Sequence, residues 1–268
     1  MADKWDVAFE QTQQDSWWMP EHVVRVDRPE IHYTYDPKGS KRYSSVTRVS
    51  PNLNGYADLV SEVVSFQRPT SESAFMIGAP SYSKGLESAL LERTFRSRGV
   101  ADCWSIDVNA PRPTLADDIV VRRVESEQGM RDMDAIIVAS FERSSPTDDE
   151  TMRRDLAGCT GPDARCRRYV AYDKTSGTPL SAGSFNVFPE QGLGFMWAGS
   201  TIAEARGRGA YSAVVTARMH DASGIGLQRI GLYALRTTSG PIVRKQGFQK
   251  HGRVDFWIKE FDGDSESS

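Results

Sequence analysis

The chain has 268 residues, of which 39% are hydrophobic and 26% are charged, and its formal net charge is -3. These values are typical of a globular protein with one large domain or two modest ones. The mildly acidic balance argues against nucleic acid and against an anionic membrane surface as partners, and no run approaches the roughly 18 apolar residues of a membrane span.

The cysteines and the N-terminal residues predict a cytoplasmic protein. Cys103, Cys159 and Cys166 are too few and too scattered for a disulfide framework, so reduced thiols are expected. The first five residues include Asp3 and Lys4, and no apolar stretch follows them, which is unlike a signal peptide.

The first half of the chain reads as an irregular stretch followed by alternating helices and strands. Residues 1–50 are polar and aromatic, and Trp17, Trp18 and Met19 are expected to form a packing cluster. The pattern then predicts a helix over 56–66, a buried strand over 73–79, a helix over 83–98 that ends at Gly99, and a strand over 101–108. The apolar face of the second helix consists of Leu86, Leu90, Leu91 and Phe95.

Two prolines within residues 109–113 indicate a linker. After it the pattern predicts, in order, a strand over 118–124, helices over 126–143 and 148–158, strands over 168–173, 179–188 and 194–201, a helix over 210–220, a strand over 229–234, a helix over 239–246 and a strand over 253–259. The first of these helices should turn Met130, Met133, Ile136, Ile137 and Phe141 inward. This order is a mixed α/β pattern, without the strict alternation of a doubly wound fold. The acidic, serine-rich tail 262–268 is expected to be disordered.

The most informative segment is residues 203–210 (AEARGRGA), which lies between an apolar stretch and a predicted helix. A turn containing Gly207 and Gly209 exposes backbone N–H groups and leaves room for a bulky anion. The helix that begins there adds the positive end of its dipole, and Arg206 and Arg208 add positive charge. The segment therefore predicts an anion-binding loop, with an ordinary turn as the alternative.

Other chemistry-bearing motifs find little support. The phosphate loop of NTPases requires a lysine that this segment lacks, and the dinucleotide fingerprint requires a third glycine where Ser212 stands. The nucleophile elbow Gly-x-Ser-x-Gly is absent from the sequence. The four histidines, at positions 22, 32, 220 and 251, show no ligand spacing, so no metal site is expected.

Residues 206–211 resemble the acetyl-CoA signature of the GNAT superfamily of N-acetyltransferases, Arg/Gln-x-x-Gly-x-Gly/Ala. Residues 201–204 are similar to the usual lead-in, with Ala203 where the family often has proline. Ser239-Gly240-Pro241, followed by Gly247-Phe248, resembles the later helix of the family, which ends in Gly-Phe. The two motifs occur in the family's order and spacing, and the resemblance covers about residues 118–257.

The resemblance implies a mixed, mostly antiparallel sheet flanked by helices, with acetyl-CoA as the co-substrate and no metal. The strand at 229–234 would splay away from the strand that precedes the loop and open a slot for the pantetheine arm. Ser200, Thr201 and Ile202 would pair with the amide groups of that arm, as an added strand does. The pyrophosphate would be held by backbone N–H groups of Arg206, Gly207, Arg208, Gly209, Ala210 and Tyr211.

Three positions depart from the family pattern. Tyr211 stands at the final Gly/Ala position, Val243 where many members have the tyrosine that protonates the leaving thiolate, and Trp197 where many have a glutamate base. The catalytic residues are therefore unassigned. Glu190, Asn186 and Tyr233 lie on adjoining elements and are candidates, although a surface or core role is the default for each. Positioning of amine and thioester, with water relaying the proton, also supports acyl transfer.

The N-terminal half lacks the glycine signature, yet its predicted elements are similar to half of a second such domain. This arrangement resembles tandem GNAT proteins in which one copy has lost cofactor binding; an unrelated extension is the alternative. The predicted division is therefore an N-terminal domain over 1–110, either a degenerate GNAT-like copy or an unrelated extension, a GNAT domain over 111–261 and the tail 262–268.

The leading functional hypothesis is transfer of an acetyl or short acyl group from acetyl-CoA to a primary amine, with a small-molecule acceptor as the partner. A non-catalytic acyl-CoA-binding or regulatory protein is the main alternative, because the family tyrosine and glutamate are missing. A transferase that uses a nucleotide or an aminoacyl donor has weaker support. The acceptor and the oligomeric state do not follow from the sequence.

Overall fold

The structure is a computed structural model that describes residues 2–112, 115–141, 147–161 and 163–261. In chain order its helices and strands are α1 (Lys4–Gln14), β1 (Val24–Arg28), β2 (Ile31–Tyr35), β3 (Ser45–Val49), α2 (Tyr56–Gln67), β4 (Glu72–Gly78), α3 (Lys84–Glu92), β5 (Arg96–Asp107), β6 (Ile119–Arg123), α4 (Glu127–Phe141), α5 (Asp149–Ala157), β7 (Cys166–Asp173), β8 (Pro179–Phe188), β9 (Leu193–Thr201), α6 (Ala210–Gly224), β10 (Arg229–Leu235), α7 (Ser239–Lys245) and β11 (Gln249–Glu260).

The chain divides into two compact units. The first consists of the residues up to Trp104, the segment Tyr233–Lys245 and the residues from Gln249 on; the second consists of Ser105–Leu232 and Gln246–Phe248. Strand β11, which the predicted division places with the second half, pairs antiparallel with β4 of the first unit from Val254↔Gly78 to Glu260↔Glu72. The chain therefore returns to the first unit at its C-terminal end.

The first unit has the strand order β1-β2-β3-β4-β11-β5. Most of its strand pairs are antiparallel, and β3 and β4, which are joined through α2, are parallel. Its core forms where the inward side chains of α2, α3 and these strands meet; the largest fully buried members are Ile31, Tyr33, Phe75, Ile77, Leu86 and Leu90.

The second unit has the strand order β10-β9-β8-β7-β6. Strands β6 to β9 pair antiparallel, and β9 and β10, joined through α6, are parallel. Neighbouring residues of β8 face opposite ways: a side chain at Gly183 would meet Arg218 of α6, whereas Ser184 contacts Met133 of α4. Helices α4 and α6 thus cover opposite faces, and the predicted mixed, mostly antiparallel sheet flanked by helices is confirmed.

The expectation of an irregular N-terminal stretch is wrong. Helix α1 has a capping box, in which the Asp3 side chain accepts from the backbone of Asp6 while the Asp6 side chain accepts from the backbone of Asp3. Strands β1 and β2 form a hairpin that closes at Arg28↔Ile31. The capping residues and the alternating run Ile31–Tyr35 were local signals for both. The tryptophan cluster is partly exposed, since 41% of Trp18 is accessible and its ring lies 5.8 Å from that of Tyr43.

The predicted helix over 83–98 is too long. Helix α3 ends at Glu92, and Thr94 takes a left-handed φ of +65°. The N–H of Phe95 then donates to the Leu90 carbonyl, as in a Schellman cap. Because Thr94 occupies the position that usually holds glycine, the sequence placed the end at Gly99, which lies within β5.

Two side chains predicted to face inward are exposed. Leu91 is 56% accessible, and Phe141 is 58% accessible. Each occupies one of the last two positions of its helix. The remaining boundaries agree to within a few residues, and the cysteines are buried without disulfides. The predicted disorder of the tail concerns residues 262–268, which lie outside the described residues.

Candidate functional site

The glycine loop of the second unit connects β9 to α6. A short 3₁₀ turn over Ala203–Ala205 follows the strand, and Gly207 and Gly209 then take left-handed φ values of +83° and +87°. A side chain at either glycine would find no atom within 4 Å. The conformation therefore favours glycine, and the space above the loop is open.

The loop presents a row of backbone donors. Within the part of the chain that the structure describes, the N–H groups of Gly207 and of residues 209–212 have no acceptor, and no side chain caps the start of α6. The first N–H groups of a helix carry the positive end of its dipole. Gln246 supports this turn by donating to the Ser212 hydroxyl at 3.2 Å. Unpaired donors at a helix start can bind an anion such as a pyrophosphate.

The two arginines of the loop differ in their surroundings. Arg208 donates to Asp118 and to Asp173, each at 2.7 Å, and its guanidinium, together with N–H groups of Ser176 and Thr175, holds the pKa of Asp173 well below its ordinary value. Arg206 is exposed, and its guanidinium makes no hydrogen bond or ion pair with another described residue. Arg208 thus anchors the loop to the start of β6 and the end of β7, while Arg206 supplies an available charge.

Strands β9 and β10 part at the end where the loop begins. Their parallel ladder runs from Arg229↔Leu193 to Gly231↔Phe195, and β9 continues to Thr201. The predicted neighbours and their divergence are therefore confirmed. Ser200, Thr201 and Ile202 lie at the diverging end: the Ser181 hydroxyl donates to the Ser200 carbonyl and lies 2.9 Å from the Thr201 hydroxyl, and the Ile202 N–H donates to Leu180.

A β-bulge lies just before these residues. Ala182 pairs with Ser200 and Ser184 with Trp197, so Ala198 and Gly199 together oppose Gly183, and Ala198 has a left-handed φ of +51°. The ring of Tyr211 covers this bulge, since a side chain at Gly199 would lie 3.0 Å from its Cε2 atom. Gly199 thus makes room for the bulky residue at the last signature position, and Ala210 before it is buried.

The positions that depart from the family pattern carry no obvious acid or base. Trp197 donates its indole N–H to the Asn186 carbonyl oxygen at 3.0 Å, and the guanidinium of Arg168 lies 5.3 Å from its ring. Arg168 in turn pairs with Asp155 at 2.9 Å. The indole N–H of Trp197 and the side-chain oxygen of Asn186 are therefore hydrogen-bonded to each other. Val243 is buried, at 1% accessible.

The other two candidates lie in different settings. Glu190 is exposed on the β8–β9 turn, at the end of β9 where β9 and β10 are paired, far along the strand from Ser200. Tyr233 belongs to the first unit, where its hydroxyl donates to the Phe9 carbonyl at 3.3 Å and burial raises its pKa well above the ordinary value. A high pKa makes a phenol a poor proton donor to a thiolate.

Sequence reasoning missed Arg218 and the network around Asp221. Arg218 lies on the buried face of α6 and is 1% accessible. Asp221, one turn further, accepts hydrogen bonds from Tyr169 and Arg167. The signal was present, because Arg218 follows Tyr211 by seven residues and Val214 by four, which places all three on one face.

Among the described residues, no group of three or more His, Cys, Asp or Glu side chains could hold a metal ion. None of the described helices combines the length and apolar character required to cross a membrane.

Comparison with solved structures places this architecture among known folds. A GCN5-related N-acetyltransferase from Kribbella flavida superposes with a TM-score of 0.69 at 12% identity, covering 99% of each chain. A tandem GNAT protein from the clavulanic acid biosynthesis pathway gives 0.64 at 10% identity, covering 96% of this chain and 94% of that one. A GCN5-related N-acetyltransferase from Sphaerobacter thermophilus gives 0.59 at 19% identity, covering 88% and 82%.

By sequence, the chain matches no protein-family model and no curated protein. The structural similarities nevertheless extend over nearly the whole chain, and one of the similar structures is a tandem GNAT protein. The chain therefore has the GNAT fold, and the predicted arrangement of two GNAT-like halves is confirmed. At these identities the similarity establishes the fold, and function depends on the residues of the site.

Proposed function

We propose that this protein is an N-acyltransferase that moves an acetyl or short acyl group from acetyl-CoA to a primary amine of a small molecule. The observation that carries the proposal is the loop of the second unit, where five backbone N–H groups without a described acceptor and the exposed Arg206 lie at or just before the start of α6. This loop lies at the diverging end of a parallel strand pair in a GNAT fold.

In this proposal each part of the site has a role toward acetyl-CoA. The donors of residues 207 and 209–212 take the pyrophosphate, and Arg206 adds a charge-assisted hydrogen bond. The backbone groups of residues 200–202 that are not already bound to β8 pair with the amide groups of the pantetheine arm. The amine nitrogen bonds to the thioester carbonyl carbon, the C–S bond breaks, and CoA leaves as the thiol with the proton that the amine gives up.

The proton path in this proposal runs through water. Trp197 and Asn186 bind each other, and the Tyr233 hydroxyl donates to a backbone carbonyl, so none of them is placed as a ready acid or base. Holding amine and thioester together lowers the barrier without a dedicated base, provided that the amine is unprotonated.

A non-catalytic acyl-CoA-binding protein is the second candidate. The hydrogen-bonded pair of Trp197 and Asn186 favours it, because Trp197 occupies the position where a catalytic base would act. Two measurements separate the candidates. Isothermal titration with acetyl-CoA, with ATP and NAD as controls, tests the site. Release of CoA thiol across an amine panel tests catalysis, and binding without thiol release for any amine would favour the second candidate. Binding of ATP or NAD without binding of acetyl-CoA would overturn both.

A further inference from the structure

Arg218 is a buried cation that makes no ion pair with a carboxylate of the described residues. Its Nη1 atom donates to the Ser184 carbonyl at 3.1 Å and its Nε atom to the Val214 carbonyl at 3.3 Å. The Nη2 atom is buried, and no described group accepts from it. Burial lowers the pKa of this guanidinium, while Tyr211 acts in the opposite direction. A charge in such a place is costly, so this buried arginine calls for an explanation.

The guanidinium lies directly behind the bulge of β9. A side chain at Gly183, the residue opposite the bulge, would lie 2.9 Å from the Arg218 Cζ atom. The Ser184 carbonyl that Arg218 binds belongs to the next residue of β8, which pairs with Trp197 on the near side of the bulge. Arg218 therefore contacts β8 at the place where the two strands fall out of register.

Tyr211 connects this cation to the anion-binding loop. The Arg218 Cζ atom lies 6.0 Å from the centroid of the Tyr211 ring, and the edge of that ring rests on Gly199 of the bulge. The backbone N–H of Tyr211 is one of the unpaired donors at the start of α6. One residue thus touches the buried cation, the bulge and the loop.

We propose that Arg218 is a positioning residue for the acyl-CoA site, which holds Tyr211 and the bulge of β9 in the arrangement that binds the cofactor. The inference rests on the proposed function. Through the Ser184 carbonyl and the Tyr211 ring, Arg218 fixes the loop that would take the pyrophosphate relative to the strand end, residues 200–202, that would take the pantetheine arm. A ligand that spans both parts binds well only when their spacing is held.

The test compares acetyl-CoA affinity with thermal stability in the full chain. Arg218→Met keeps the volume and removes the charge and the donors. We expect a dissociation constant for acetyl-CoA at least tenfold higher than that of the wild type, with a melting temperature unchanged or raised, because no cation then has to be desolvated. Arg218→Lys should bind with intermediate affinity. His220→Ala, an exposed change on the same helix, is the matched control and should alter neither quantity.

Tyr211→Leu tests the connection from the other side and keeps the backbone N–H. It should raise the dissociation constant several-fold with little change in melting temperature. Wild-type affinity in both Arg218→Met and Tyr211→Leu would overturn the inference, as would a parallel loss of stability and affinity in Arg218→Met, which indicates a structural role. If the wild type itself fails to bind acetyl-CoA, the proposed function fails first and this inference with it.

Discussion

Residues of this protein that are close in sequence differ in whether their surroundings leave them accessible to a ligand. Arg206 and Arg208 are two positions apart in the sequence, yet one guanidinium is available and the other is bound by two carboxylates. Gly207 and Gly209 share a left-handed backbone, and the space above both is open. The stability of the fold and the proposed binding of acetyl-CoA therefore depend on different residues, so mutations can separate the two properties.

The first prediction concerns Gly209. An aspartate there should abolish measurable acetyl-CoA binding, because it places a side chain and a negative charge in the space assigned to the pyrophosphate. Titration calorimetry measures the effect. Gly226→Asp is the matched control, since Gly226 follows the other end of α6 with φ of +79° and equally open space. Both variants carry the same backbone strain, so wild-type binding by Gly209→Asp would contradict the assignment.

The second prediction concerns Arg206. Replacement by alanine should weaken acetyl-CoA binding by about 1–3 kcal/mol, the range for one lost charge-assisted hydrogen bond. The melting temperature should stay unchanged, because the side chain is exposed and makes no contact that folding requires. Equal affinity for the variant and the wild type would show that the backbone donors alone hold the anion.

The third prediction concerns Glu10 of the first unit, which is 7% accessible and has an Oε1 atom without a hydrogen bond to any described group. Burial raises the pKa of Glu10 to about 7, against the opposing effects of Ser81 and Arg48. A raised pKa means that the native state favours the protonated form. The contribution of this group to stability is then present below pH 4.5 and is lost as the pH rises towards 7.

Glu10→Gln replaces the protonated carboxyl with a neutral group of the same shape. The variant should therefore be more stable than the wild type at pH 8, by about 1–3 kcal/mol, and the difference should be much smaller at pH 5 and vanish below pH 4.5. Urea denaturation at the two pH values measures it. Glu21→Gln, an exposed site of the same unit, should show no such dependence on pH. A stability difference that is the same at pH 5 and pH 8 would contradict the expectation.

At the scale of elements, both units contain the same local arrangement of strand, helix and parallel strand. In the second unit β9, α6 and β10 form it, and in the first unit β3, α2 and β4 do, where the parallel ladder is the single pair Val46↔Phe75. Each helix follows a glycine with a left-handed φ, Gly209 in one case and Gly55 in the other. The difference lies in what surrounds the helix start.

Helix α6 is fastened to β7 by Asp221, which accepts from Arg167 and Tyr169. Burial and this hydrogen bond raise the pKa of the Tyr169 phenol. Asp221→Asn removes the negative charge beside a guanidinium that is 7% accessible, so we expect a loss of about 2–4 kcal/mol in the free energy of unfolding. Glu127→Gln, which breaks the exposed Arg131–Glu127 pair, should cost about 0.5 kcal/mol or less. Similar losses in the two variants would contradict this fourth prediction.

For the whole molecule, the two units differ in their suitability for a phosphate ligand. In the first unit Asp58 lies in the first turn of α2, the Tyr56 hydroxyl accepts from the Leu53 N–H, and the Ser81 hydroxyl accepts from the Val49 N–H. Donors at the ends of β3 and of its loop are thus occupied by the protein's own side chains, and a carboxylate replaces the arginines.

The fifth prediction is therefore a stoichiometry of one acetyl-CoA per chain. Titration calorimetry of the wild type should give a single site, and Gly209→Asp should leave none. Retention of one binding site in that variant would show that the first unit also takes the cofactor.

The local features of this protein follow from its sequence alone. The glycine loop, the helix after it and the apolar strands around it follow from patterns of a few residues, since backbone conformation and helix starts depend on near neighbours. The order of elements in the second half, and the later Gly247-Phe248 turn, with φ of +84° at Gly247, follow in the same way. Those features predict the mixed α/β pattern of the second half and the place of the glycine loop within it.

Which of these side chains can reach a ligand, and which are bound within the protein, depends on contacts that form only in the folded chain. Asp118 and Asp173 reach Arg208 from 90 and 35 residues away, and β11 pairs with a strand formed far earlier in the chain. The bulge of β9 depends on its register with β8, and Arg218 is buried because α6 packs over Gly183. These contacts join residues distant in sequence, and their energies depend on burial and on charges that no local pattern contains.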